Sequence, residues 1–218
     1  MAVDFDLVDE TNLNRQILYR EKHIGVKKTE AAKDTVNEFN SNVDFIGLDR
    51  RINSVKDLEI IINLYKPNCL ICAADKPPVK IYKWVNEACI KNNIPYIYGG
   101  NTETTAFFQT VIPHTSSCFE CYEYHLENNF NKEGYAKYLS ILKNSYSSEN
   151  NCTAASSSAL AAFMIFDFIR LIAEFEKPLS LNKRTFIDFK TDEIDSEYIP
   201  INKNCPICSV HNFSDKEV

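Results

Sequence analysis

The chain has 218 residues, 44% of them apolar and 25% charged, and carries a formal net charge of −6. That length supports one substantial core or at most two small ones. An acidic balance without any Lys/Arg run excludes the usual electrostatic footprint of a nucleic-acid or polybasic membrane surface.

In chain order, Ala2 to Val8 reads as a short strand and Lys27 to Glu38 as a helix. Asn42 to Leu48 follows as a strand, Val55 to Tyr65 as a helix, and Asn68 to Ala74 as an almost wholly apolar strand of the buried type. Pro78 to Asn92 reads as a helix and Pro95 to Tyr98 as a strand. This alternation predicts an α/β fold: a Rossmann-like, mostly parallel sheet with helices on both faces, which binds ligands beyond the carboxyl ends of its strands. After Gly99-Gly100 the pattern changes. Thr105 to Ile112 alternates as a strand, and residues 123–151 form a polar connection with a helical turn or two around Tyr135 to Leu142. Cys152 to Glu176 is a long helix, and Arg184 to Lys190 and Glu197 to Ile201 close the chain as strands. The most apolar part, Ala154 to Ala173, holds three serines, Asp167 and Arg170, and so predicts a buried helix, not a membrane span. Eight cysteines and an N-terminus without a basic, apolar leader predict a reducing, cytoplasmic setting.

Two Cys-x-x-Cys pairs, Cys118/Cys121 and Cys205/Cys208, each offer two thiolates to one ion. Together they form a four-sulfur set of the structural zinc type, which leaves no open coordination position for chemistry. Disulfides or plain buried thiols are the alternative, and the composition is not that of a small disulfide-stapled domain. A metal here would pin the C-terminus to the middle of the chain. Cys69, Cys72 and Cys89 sit on apolar faces and read as core, and His114 and His125 flank the first pair.

The chemistry is sought near the N-terminus. A carboxylate at the end of the second strand of a dinucleotide-type fold holds ribose hydroxyls, and Asp4, in the acidic first strand, is placed for that role. Asn12, Arg15 and Gln16 follow in the next loop, and Lys28 opens the next helix. A guanidinium and an ammonium near strand ends suit a polyphosphate. Asp75, after the apolar strand, is placed for a divalent ion, and Lys80 stands just beyond it. Cys152, opening the long helix, has the position of a thiol with a lowered pKa. Each residue alone also has a structural explanation as a cap, an ion pair or a core thiol.

Taken together, Asp4-x-Asp6, Asn12-Leu-Asn-Arg-Gln16, Ile24-Gly-x-x-Lys28, Ala74-Asp75 and the two Cys-x-x-Cys pairs resemble the ThiF/MoeB/HesA group of adenylating enzymes, relatives of ubiquitin-activating enzymes. The resemblance runs through nearly the whole chain and implies one adenylation domain over 1–218, with 123–151 as its crossover-type loop. It implies an adenylyltransferase that uses ATP and magnesium to activate the C-terminal carboxylate of a ubiquitin-like or sulfur-carrier protein, or of a peptide, and that works as a homodimer. Carried over by position, Asp4 binds ribose, while Asn12, Arg15 and Lys28 grip phosphates with Gln16 in support. Asp75 coordinates magnesium, and Cys152 is the candidate for a thioester. The small residues Ala154, Ala155, Ser158, Ala161 and Ala162 suit the dimer interface. One part of the pattern differs. Family members place a strand and a G-x-G-x-x-G loop about 20 residues before the acidic strand, whereas Gly25, Gly47, Gly99, Gly100 and Gly134 all lie after Asp4. The chain then reads as a fragment of a complete enzyme, as half of a split enzyme, or as a non-adenylating relative.

Overall fold

The computed structural model describes residues 1–129 and 152–209. The helical turns around Tyr135 to Leu142 and most of the 123–151 connection lie outside them. Strand β1 (Ala2–Asp4) is short because the Asp4 carboxylate accepts a 2.9 Å bond from the Asp6 N–H and turns the chain. Helix α1 (Lys28–Phe39) leads to β2 (Gly47–Asp49), which pairs parallel with β1, Ala2 facing Gly47 and Asp4 facing Asp49. Helix α2 (Val55–Tyr65) starts at Ser54, whose hydroxyl oxygen accepts from the Asp57 N–H, and buries Leu58, Ile61 and Ile62 along one stripe. Strand β3 (Leu70–Cys72), helix α3 (Lys80–Lys91) and strand β4 (Tyr96–Asn101) form a right-spaced β-α-β unit, with β3 and β4 parallel.

From β4 onward the pairing is antiparallel. Strand β5 (Thr105–Val111) lies beside β4, then β6 (Lys183–Asp188) and β7 (Glu193–Tyr198) complete a sheet ordered β3-β4-β5-β6-β7. The expected α/β fold with parallel strands and an antiparallel extension is present, in two pieces: β1 and β2 form a separate pair. Consequently β1 and β3 each end a sheet among the described residues.

Helix α4 (Phe119–Asn129) occupies the start of the segment read as a polar connection. Its signal is the stripe Phe119, Tyr122, Glu123 and Leu126, all buried against α3. Helix α5 (Ala154–Ala173) begins with a reciprocal cap: Thr153 Oγ1 accepts from the Ser156 N–H, and Ser156 Oγ accepts from the Thr153 N–H, both at 3.2 Å. It crosses β4 and β5 on the face opposite α3 and α4 and buries Leu160 and Met164 with Ile97, Phe108 and Ile187. Asp167, fully buried, ties α5 to the next loop by accepting bonds from Thr110, Ser180 and the Leu179 N–H.

Candidate active site and metal centre

The end of β1 brings Asp4 and Lys28 together through Asp6, and the loop that follows carries Asn12, Arg15 and Gln16. Beyond Asp4, the Asp6 carbonyl accepts the Lys28 N–H at 3.0 Å, and the Asp6 carboxylate meets Lys28 Nζ at 3.1 Å. Lys28 is 10% exposed at its side chain against 48% for Asp6, so the ammonium is held from inside and presented beside a half-open carboxylate. Asn12 is buried and takes the Asp9 N–H on its side-chain oxygen, while Asp9 takes the Thr11 N–H and hydroxyl. This reciprocal cap shapes the loop carrying Arg15, whose Nη1 donates to the Thr11 carbonyl and to Asn14 Oδ1, both at 2.8 Å. The Gln16 N–H bonds to the Asn12 carbonyl, and Gln16 Oε1 is a buried acceptor without a partner among the described residues. Burial, with Asp4 and then Asp6 nearby, pushes the Tyr19 hydroxyl up to about 12. Tyr19 therefore stands against both carboxylates. Sequence reasoning gave no role to Tyr19 or Asp6, and only their place beside the motif could have drawn attention to them.

This loop is latched to the far side of the molecule. The Asn14 carbonyl accepts the Ala154 N–H at 2.9 Å, and Asn14 Nδ2 reaches the Cys152 carbonyl at 3.4 Å. The N-terminal loop thus fixes the start of α5.

Asp75 is exposed in the turn after β3. Among the described residues no hydrogen bond or ion pair joins it to the β1 cluster. The turn ends in a tight three-residue bend, with Val79 at φ 63° and the Lys80 N–H bonded to the Pro78 carbonyl at 2.6 Å. A β-branched residue at positive φ is strained, and it starts α3 abruptly behind Asp75. Lys80 is exposed as the first residue of α3. Cys152 is buried, and its sulfur donates to the Thr102 and Asn101 carbonyls at 3.2 and 3.4 Å. Both contacts hold the sulfur against the end of β4 and the turn after it. Burial pushes the Cys69 and Cys72 thiols up to about 11, as inert core thiols require.

The four Cys-x-x-Cys thiols meet in one buried cluster, every sulfur within 4.8 Å of the others. Cys118 stands just before α4 and Cys121 inside its first turn, while Cys205 to Cys208 occupy a tight turn closed by the Ser209 N–H donating to the Cys205 carbonyl at 3.3 Å. The sulfurs of Cys118 and Cys121 are 3.9 Å apart, Cys118 and Cys205 3.7 Å, and Cys121 and Cys208 3.5 Å. Such a set can hold a metal ion. A ring nitrogen of His114 approaches the Cys208 carbonyl at 3.4 Å, and His125 pairs with Glu197 at 3.1 Å. His114 therefore braces the second pair, whereas His125 joins α4 to β7.

Carboxylates, an amide and cations at the ends of parallel strands, with a four-thiol cluster pinning an antiparallel extension, define an α/β protein of the dinucleotide-fold class. The chain belongs to the ThiF family, whose model matches residues 1–210. It is similar to the sulfur carrier protein ThiS adenylyltransferase of Bacillus subtilis, 31% identical over 120 residues that cover 54% of this chain and 34% of that protein. It is also similar to the adenylyltransferase and sulfurtransferase UBA4 of Meyerozyma guilliermondii, 30% identical over 120 residues, 55% of this chain and 27% of that protein. Among solved structures, E. coli MccB aligns with a TM-score of 0.79 and 27% identity, covering 99% of this chain and 58% of that one. MccB solved with ATP aligns with a TM-score of 0.77 and 29% identity over 94% of this chain and 58% of that one. The chain thus spans about a third or less of these curated relatives and well under two thirds of MccB.

Proposed function

We propose that the chain adenylates the C-terminal carboxylate of a ubiquitin-like or sulfur-carrier protein, or of a peptide. A carboxylate oxygen attacks the α-phosphorus of ATP, the acyl–phosphate bond forms, the bond to the bridging oxygen of the β-phosphate breaks, and pyrophosphate leaves with that electron pair. The observation that supports this reading is the chain of contacts Asp4–Asp6–Lys28 at the end of β1 in a ThiF-family chain. The likeness to MccB solved with ATP supports it. In this reading Asp4 receives the ribose hydroxyls. Lys28, aimed by Asp6, acts with Arg15 and Asn12 on phosphate oxygens where charge develops. Gln16 offers its buried, unpartnered oxygen from behind. Magnesium ordinarily takes one or two carboxylates and completes its shell with phosphates and water, which fits a single exposed Asp75.

The metal in the four-thiol cluster is zinc in this proposal. A tetrahedral ion with Zn–S bonds of about 2.3 Å sets its sulfurs about 3.8 Å apart, and the adjacent sulfurs stand 3.5 to 3.9 Å apart. Eight free thiols suit the reducing cytoplasm.

A second reading has its own support. Among the described residues β1 and β3 each end a sheet, and such an edge can pair with a strand of another polypeptide. The chain would then bind the same carboxylate partner and depend on another polypeptide for ATP. Pyrophosphate exchange into ATP, stimulated by a protein or peptide with a free C-terminus, separates the two. The adenylating reading expects exchange that falls about 10²- to 10³-fold in Lys28→Ala. Retained partner affinity with no ATP binding would sink it in favour of the subunit.

A further inference from the structure

Asn14 has no ligand role of its own, yet its polar groups meet two distant parts of the chain. Its Oδ1 accepts from Arg15 Nη1 at 2.8 Å, its Nδ2 donates to the Cys152 carbonyl at 3.4 Å, and its own carbonyl accepts the Ala154 N–H at 2.9 Å. Arg15 is half-buried, and its Nη1 is held twice, by Asn14 Oδ1 and by the Thr11 carbonyl. A guanidinium carries its N–H groups in a rigid planar fork, so two acceptors on one nitrogen set the direction of the others. Among the described residues the Nε and Nη2 donors of Arg15 meet no acceptor, which leaves that edge of the fork for a ligand.

The other end of the latch reaches the sheet. Cys152 Sγ donates to the Thr102 and Asn101 carbonyls at 3.2 and 3.4 Å, and Asn101 Nδ2 donates to Ser157 Oγ at 3.1 Å. These contacts seat the start of α5 on the carboxyl end of β4, which runs parallel to β3. Ligands of such sheets sit beyond those strand ends. One line of hydrogen bonds therefore runs from the end of β4, through the start of α5 and Asn14, to the guanidinium of Arg15. We propose that Asn14 is a positioning residue for Arg15, and that it makes the aim of the guanidinium depend on how α5 is seated against β4. The proposal rests on the adenylation reading for the task of Arg15. A long side chain already held at Nη1 meets phosphate oxygens with less freedom left to lose, which favours binding.

Two variants of the full chain separate the parts of the latch. Asn14→Leu removes the acceptor and the donor at similar size. Ala154→Pro removes only the N–H that reaches Asn14: position 154 is the first of α5, where proline is tolerated, and Thr153, at φ −101° and ψ 163°, suits the residue before a proline. In pyrophosphate exchange Asn14→Leu is expected to raise KM for ATP about tenfold, as the loss of one hydrogen bond to a charged group does. Ala154→Pro is expected to raise it about threefold, the scale of an indirect coupling. Neither increase is expected in a chain that already carries Arg15→Ala, because a residue that acts through Arg15 adds nothing once Arg15 is gone. The order of the guanidinium is read without ATP, from the heteronuclear Overhauser effect of the Arg15 Nε–H in isotope-labelled chain, and is expected to fall in both variants. An Asn14→Leu effect as large beside Arg15→Ala as alone, or an equally ordered Arg15 in Asn14→Leu, would overturn the proposal. Unchanged KM and unchanged order in Ala154→Pro would overturn its link to α5. A wild type without exchange would sink the adenylation reading, and the order of Arg15 would then decide the latch by itself.

Discussion

Tyr19 and Lys28 share a neighbour, the half-exposed carboxylate of Asp6, and they use it in opposite senses. For Lys28 the anion at 3.1 Å holds the ammonium in place. For Tyr19, burial first, then Asp4 and Asp6, resist formation of the phenolate and push the hydroxyl to about 12 from an ordinary 10. Tyr19 is uncharged when protonated, so the unfolded chain releases this proton near pH 10 while the folded chain keeps it to about 12. Its contribution to stability is therefore intact below about pH 10 and lost as pH rises from 10 towards 12. Tyrosinate absorbance, taken as the difference between the chain and Tyr19→Phe, should show an inflection near pH 12. Asp6→Asn should lower that inflection by the smallest of its three contributions and leave the parts due to burial and to Asp4. An unmoved inflection in Asp6→Asn would mean that the carboxylate does not face Tyr19. The residues of this cluster were legible in the sequence because they lie within about one loop and one helix start of each other. Local spacing alone nearly fixes their meeting. Asp75 reaches its position only through long-range strand pairing, which no local pattern specifies, and its partner in the site is not set by any contact within the chain.

Among the elements, α5 and β4 depend on a close approach that leaves no room for a side chain. A Cβ on Gly99 would stand 2.6 Å from the Phe107 carbonyl and 3.0 Å from Met164 Sδ. The methionine can yield, but the paired backbone of β5 cannot. Gly99→Ala should therefore cost about 1–3 kcal/mol, read as a fall in Tm of several degrees for a chain of this size. An unchanged Tm would show that β4 and β5 are free to separate. At the start of α5, Thr153→Ala removes the acceptor of the Ser156 N–H and should cost about 1 kcal/mol. Helix α2 spans the expected Val55 to Tyr65, and the structure closes it with a Ser54 cap at one end and a left-handed Lys66 at the other. Helix α4 was not legible in the sequence, because its apolar residues are interleaved with the first Cys-x-x-Cys and with Glu123, which turns inward beside Lys83. Strand β7 begins at Glu193, earlier than composition suggests, because pairing with β6 fixes its register and carries acidic residues into the ladder.

Across the whole molecule, two links hold the chain ends to the centre. One is the Asn14 latch to the start of α5. The other is the thiol cluster, which ties the turn at 205–208 to α4, while Ile199, at the head of the same segment, is buried in the core beside Tyr96 and Phe119. The sequence made the second link legible through spacing alone, since two thiols three apart have few other uses in a reducing setting. It gave no sign of the first, which joins the carbonyl and side-chain amide of Asn14 to backbone groups far along the chain. If zinc supplies the second link, its binding energy is also folding energy for the C-terminal segment. Cys205→Ala should abolish equimolar zinc in elemental analysis and free the segment after Ile199 to open locally. Trypsin should then cut at Lys203, already exposed but held in the turn, about ten or more times faster than in the parent, while the β3–β6 sheet keeps its far-ultraviolet signal. Chelator treatment of the wild type should reproduce that cleavage, and added zinc should reverse it for the wild type and not for the variant. Unchanged protease resistance after complete metal loss would mean that apolar packing around Ile199 holds the C-terminus by itself, and that the four thiols stand together without a structural task.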